Sequence, residues 1–186
     1  MPQPTGIAAL QPLDWANEYT QAAIPLHGAV VEPILHFSIL WNLFERDACG
    51  KEASRTRIGT VVAAAVAAQQ ISLDAFTEHL AYFRNRAQRN GMLVEQYLDA
   101  LRVHPNDRAL VGDVLIGRSN DVKSVVHALL LVVLRIRNNL FHGEKDVAYL
   151  HTQAEIFRAA NSVVATYLTV TRHAAQHIAG ADARGI

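Results

Sequence analysis

One cysteine, Cys49, is all the chain has in 186 residues. That excludes an intramolecular disulfide and a cysteine-built metal cluster, and it fits a reducing compartment, so a cytoplasmic location is expected. Net charge is lacking as well, because 17 Lys and Arg balance 17 Asp and Glu. No overall field therefore marks a nucleic-acid or membrane partner. Basic residues are missing altogether from residues 1–45, which carry four acids, Asp14, Glu18, Glu32 and Glu45. The remainder holds 17 basic residues against 13 acidic ones, and any anion-binding surface is expected there.

Long apolar runs are absent too. The run Ala128 to Leu134 has seven residues, against about 20 for a bilayer span, so no membrane partner is expected. The N-terminal MPQPTGIAALQP has no basic stretch ahead of an apolar one and does not read as a signal peptide. No HExxH or comparable ligand spacing occurs, and among the histidines only His173 and His177 stand four apart, near the chain's end. No metal and no cofactor are expected. No internal repeat is present, and the alanine-rich patch at 63–68 is the one low-complexity stretch.

What is present points to helices. Apolar residues make up 51% of the chain, enough for one domain with a sizeable core. Residues 1–22, with Pro2, Pro4, Gly6 and Pro12, read as an N-terminal arm, 23–178 as a helical domain, and 179–186 as a flexible tail. From Leu26 to Asp47, Ile34, Phe37, Trp41 and Phe44 recur at spacings of three and four, and Pro33 starts or kinks that helix. CGKEASRTR is a polar connection into the alanine-rich helix that follows. Leu73, Phe76, Leu80 and Phe83 mark a helix from Ser72 to about Asn90 and Gly91, its C-terminal cap, with a short helix at 92–102 after it. HPNDRALVGDVLIGRSN reads as a loop with at most a short strand at Val114 to Ile116. Asn120 or Asp121 caps a helix to Phe141 that Gly143 ends, and Asp146 caps a last helix to about His173 with Val147, Leu150, Phe157, Val164 and Leu168 inward. The expected fold class is all-α, a helical bundle.

The stretch RIRNNLFHGEK, residues 135–145, stands out on that scaffold. On a helix Asn138 and His142 share a face, and Arg137 reaches the same point. Cations near a helix C-terminus stabilise its dipole by about 0.3–1 kcal/mol, and a glycine follows for backbone reasons. That account needs no function, but it leaves the spacing of Arg137, Asn138 and His142 unexplained.

RNNLFH, Arg137 to His142, resembles the R-N-x-x-x-H signature of the HEPN superfamily, small all-α domains many of which are metal-independent ribonucleases. FSILWNLFE, Phe37 to Glu45, is similar to the aromatic-rich helix with a terminal acid of several HEPN branches, the Apea-like one among them. One departure is visible: the branch paired with nucleotidyltransferase antitoxins has a tyrosine two places after the histidine, and here that place is Glu144. Regulation by nucleotide transfer to that position is not expected. The resemblance implies a HEPN-like bundle and a metal-independent RNA endonuclease, a toxin or defence enzyme with RNA as substrate and an antitoxin protein as a further partner. The alternative is a non-catalytic HEPN-like module that binds RNA, a nucleotide or a protein.

The residue types suit that chemistry. Metal-free RNA cleavage needs a base for the 2′-OH, a cation for the charge on the phosphoryl oxygens and an acid for the leaving 5′-oxygen. His142, with an ordinary pKa near 6.5, suits the base or acid role, Arg137 offers a planar phosphate-binding fork, and Asn138 orients the imidazole or binds an oxygen. One histidine cannot be base and acid in the same step. A two-fold homodimer would supply two, as the resemblance implies, and would cover the apolar run from Ala128 to Leu134. Glu45 is the candidate supporting residue, and Arg135, Arg84, Arg86 and Arg118 are candidate RNA contacts.

Overall fold

The computed structural model describes residues 11–21, 24–93, 95–141 and 147–182, of which 147–149 and 173–182 are described by backbone alone. Among them are eight α-helices: α1 (Pro12–Thr20), α2 (Gly28–Asp47), α3 (Arg55–Ala67), α4 (Thr77–Ala87), α5 (Glu95–Ala100), α6 (Arg108–Leu115), α7 (Val122–Phe141) and α8 (Ala154–Asp182). The fold is all-α.

α2 forms where apolar side chains recur on one face, and Val30, Pro33, Phe37, Trp41 and Phe44 are its buried residues. Pro33 lies inside the helix and has no N–H for the carbonyl four residues back. That carbonyl, of Ala29, instead accepts from Arg158 Nη2 at 3.5 Å, and the Pro33 carbonyl accepts from Asn161 Nδ2 at 2.9 Å. α8 thus supplies donors where α2 lacks one. Higher up, the Phe37 and Phe157 rings lie 5.4 Å apart and the Phe44 and Tyr167 rings 5.6 Å. The partners rise together in sequence, so the two helices run parallel.

α7 is the central element. Asp121 caps it, accepting from the Ser124 N–H at 2.9 Å, and that bond holds its carboxyl below the ordinary range. Every residue from Ala128 to Leu134 is buried. The helix is long and apolar enough to match a bilayer, yet α3, α6 and α8 of the same chain cover it. The expectation that this run leaves surface for a second copy is therefore overturned, because the bundle consumes it on all sides.

Three local expectations are also corrected. Residues 103–120 contain no strand; a 3-10 turn, Pro105–Asp107, leads into α6, whose Val111, Val114 and Leu115 enter the core. Its Gly112 is a close-approach glycine: a Cβ there would lie 3.2 Å from Leu93 Cδ2. Asn90 and Gly91, expected to cap a helix, have φ of 53° and 74°, and they turn a two-stranded hairpin of β1 (Gln88–Arg89) and β2 (Met92–Leu93). Positive φ at both central residues is what a tight hairpin needs, and Asn-Gly supplies it. Within the expected arm, Pro12–Thr20 is helical but buries no residue; the Asn17 carboxamide holds Leu26 through both its backbone N–H and carbonyl, at 2.6 and 2.9 Å.

Towards the C-terminus, a 3-10 turn at Val147–Thr152 precedes α8, and the helical backbone runs on to Asp182, into the stretch expected as a tail. Phe157 and Val164 are buried as expected, with Leu168 packed against the core. Gly143 and Asp146, expected as helix terminators and caps, lie outside the described residues.

Candidate functional site

The last turns of α7 present two faces with different fates. Arg135 and Asn139, four apart, point at the end of α5: Arg135 Nε donates to the Leu101 carbonyl at 3.2 Å, and Asn139 Nδ2 to those of Ala100 and Leu101 at 3.3 and 3.4 Å. Asn139 is the one buried polar residue among those described. Both side chains terminate a neighbouring helix whose last carbonyls have no intrahelical donor. Burial, helped by the charge of Arg102, lowers the pKa of the Arg135 guanidinium. Through its Nε, Arg135 is therefore a structural donor to the end of α5.

Leu134, Arg137 and Asn138 lie on the other face. They line a recess of about 350 Å³ together with Glu45 from the end of α2 and Ala53, Ser54, Arg55 and Thr56 from the start of α3. Arg137 packs its guanidinium 5.4 Å from the centre of the Phe141 ring, and its Nη1 donates to Asn138 Oδ1 at 3.3 Å. Its Nε is buried without a hydrogen-bond partner. A buried donor left unpaired is costly.

The opposite wall is the first turn of α3. Ser54 caps that helix by accepting from the Arg57 N–H at 3.2 Å, and the positive end of the helix dipole abuts the recess. The connection from α2 is drawn tight by Arg57 Nε, which donates to the Cys49 carbonyl at 3.0 Å. The Cys49 thiol is buried beneath it, and burial pushes its pKa up to about 11. A thiol so placed is a packing residue, not a nucleophile. Arg55 is clamped by both carboxylate oxygens of Asp107. With Arg55 compensated by Asp107, the recess sets Arg137 and a helix N-terminus against a single carboxylate, Glu45. An anion with polar oxygens fits that balance.

The structure brings together Arg137, Asn138 and Glu45 of the residues singled out in the sequence. His142 lies outside the described residues, as does Glu144. The other arginines are elsewhere. Arg84 donates from Nε and Nη2 to the Val114 carbonyl at 3.0 and 2.8 Å and from Nη2 to Asn120 Oδ1 at 2.6 Å. Arg118, exposed, pairs with Asp113 at 3.6 Å. Both lie by the N-terminal end of α7, whose 15-residue rise from Val122 to Arg137 is about 22 Å. Arg86 lies 5.8 Å from the Tyr82 ring centre.

Ser54, Arg55 and Thr56 were not singled out by the sequence. Their one signal was a serine ahead of a helical run, which marks a cap but not which recess it borders. Among the described residues no three metal-ligating side chains cluster. No family model, curated protein or solved structure matches the chain.

Proposed function

We propose that the chain is a metal-independent RNA endonuclease of HEPN type. The observation that carries this reading is the convergence of Arg137 and Asn138, the first two residues of the R-N-x-x-x-H pattern, with Glu45 in one recess. A phosphodiester seated there meets the guanidinium of Arg137, which lines the recess. In this mechanism a base removes the 2′-hydroxyl proton and the oxygen attacks phosphorus. The P–O bond to the 5′-oxygen breaks as an acid protonates it, leaving a 2′,3′-cyclic phosphate and a 5′-hydroxyl. His142 fills one acid–base role and Arg137 meets the charge on the non-bridging oxygens. The second imidazole comes from another copy of the chain in a homodimer. Phe141, 53% exposed beside Arg137, offers such a partner an apolar side chain next to the site. A toxin or defence role, with an antitoxin protein as partner, belongs to the same proposal.

The test is cleavage of single-stranded RNA in EDTA. His142→Ala should lower the rate about 10²- to 10⁴-fold, and Arg137→Ala by about 10²-fold or more in kcat. Folded His142→Ala protein that cleaves like the parent would exclude the mechanism. RNA binding without cleavage by the parent would favour the non-catalytic module. A dilution series read by light scattering beside cleavage tests the second copy: a fully active monomer rules out the shared site.

A further inference from the structure

A second recess, of about 500 Å³, adjoins the first along the α3–α7 seam, and Arg55 and Thr56 line both. Gly59, Asp107, Lys123 and His127 also border it. His127 Nε2 is buried without a hydrogen-bond partner. Residue 59 has no side chain beside the ring: a Cβ there would lie 3.1 Å from Cε1 and 3.2 Å from Nε2, a tight contact that the ring would have to yield to by a few tenths of an ångström. Glycine inside a helix is less stable than alanine, so Gly59 gives up helical stability at the one place where a methyl group would press on this imidazole.

The charges in the recess are unequal. Arg55 and Asp107 neutralise each other through their paired hydrogen bonds. Lys123 is exposed and enters no ion pair or hydrogen bond among the described residues. Burial holds the His127 imidazole in its neutral form, against the pull of Asp107 and with Lys123 and Arg55 acting in the same direction as burial. One free ammonium at the rim and one neutral, unpaired ring nitrogen inside form a pair suited to a phosphodiester joined to a neutral polar group.

We propose that this second recess holds a nucleotide of the RNA strand several steps from the cleaved one, its phosphodiester on Lys123 and a sugar hydroxyl or base edge on His127 Nε2. The assignment rests on the ribonuclease reading of the adjoining site. Lys123 stands fourteen residues before Arg137 on α7, about 21 Å along the axis. At the roughly 3.4 Å per nucleotide of a stacked strand, that separation is about six nucleotides. A shorter RNA would therefore not reach from Lys123 to Arg137.

Binding of a labelled twelve-nucleotide RNA, followed by fluorescence anisotropy across a salt series in the non-cleaving His142→Ala background, separates the two readings. Lys123→Ala should weaken binding severalfold and reduce the slope of log K against log salt by about 0.7, the contribution of one single-strand phosphate. His127→Phe should weaken binding about fivefold, the loss of one hydrogen bond. DNA of the same sequence distinguishes its partner: an effect confined to RNA identifies the 2′-hydroxyl, and an equal effect the base edge. If both variants bind as the background protein does, with unchanged slope, the second recess is not a subsite and the nuclease reading stands. If the variants lose affinity as expected while the wild type does not cleave, the recess binds RNA and the nuclease reading falls. No RNA affinity at any salt overturns both. Lys123 is exposed, so its variant keeps the test open should His127→Phe unfold.

Discussion

Asn138 and Asn139 are identical side chains one residue apart, and their removal should have opposite consequences. Asn139 is 4% exposed and donates to the carbonyls of Ala100 and Leu101. In Asn139→Ala the Leu101 carbonyl keeps Arg135, but that of Ala100 loses its side-chain donor. One buried acceptor left unpaired, with a small void, costs about 1–2 kcal/mol. For a domain of this size about 2–4 °C of Tm follows each kcal/mol, so Tm should fall by about 2–8 °C. Asn138 instead lines the recess, half-buried, and its recorded partner is Arg137. Asn138→Ala should stay within about 0.5 kcal/mol of the parent in stability, as surface substitutions usually do, while RNA cleavage in EDTA drops. The assay is a melting curve and a cleavage time course on the same preparations. An unchanged Tm for Asn139→Ala, or an equal loss of stability in both variants, would refute the assignment of the two faces of α7.

Arg84→Ala should lose about 1–3 kcal/mol of stability, because a charged donor to the Val114 carbonyl and to Asn120 disappears, and RNA affinity should not change; a loss of affinity at unchanged Tm would restore Arg84 to the RNA surface. Stability should also fall in mild acid. Burial holds the pKa values of His79, beside Ser162 and Thr166, and of His127 below the ordinary value, so the unfolded chain binds protons that the folded one refuses. The stabilising effect is complete above about pH 6.5 and is lost as pH falls below it through the folded pKa values. Urea midpoints at about pH 7.5 and 5.5 should differ, the second being lower; equal midpoints would contradict the burial of both rings.

The helical periods were legible because burial follows them. Phe37, Trp41 and Phe44 could be read as one face of α2, and Asp121 to Phe141 as the extent of α7. α6 was not legible, since Pro105, Gly112 and Gly117 all carry turn signals. In the folded chain Pro105 opens a 3-10 turn, Gly112 makes room for Leu93, and Gly117, with φ of 84°, follows the helix end. Only the Gly112 contact is distant in sequence; Pro105 and Gly117 bracket the helix as they would bracket a loop. The candidate site divides the same way. Arg137 and Asn138 were found from spacing along one helix, whereas Arg55 joins them only through tertiary packing. Whether an arginine meets solvent or a helix-terminal carbonyl, as Arg84 and Arg135 do, is likewise decided by a neighbour distant in sequence.

Seclusion of α7 also constrains how fast its residues can move. Its backbone amides from Val125 to Ile136 sit in the most deeply covered part of the fold, where hydrogen exchange requires the whole domain to open. Arg137 and Asn138 therefore stand on a wall that holds its position for as long as the protein remains folded. The facing wall is built differently: Gly50 and Lys51 turn the chain at φ of 67° and 77° and are exposed. Hydrogen exchange at Gly50 and Lys51 should therefore need only local opening, whereas the α7 amides wait for the whole domain.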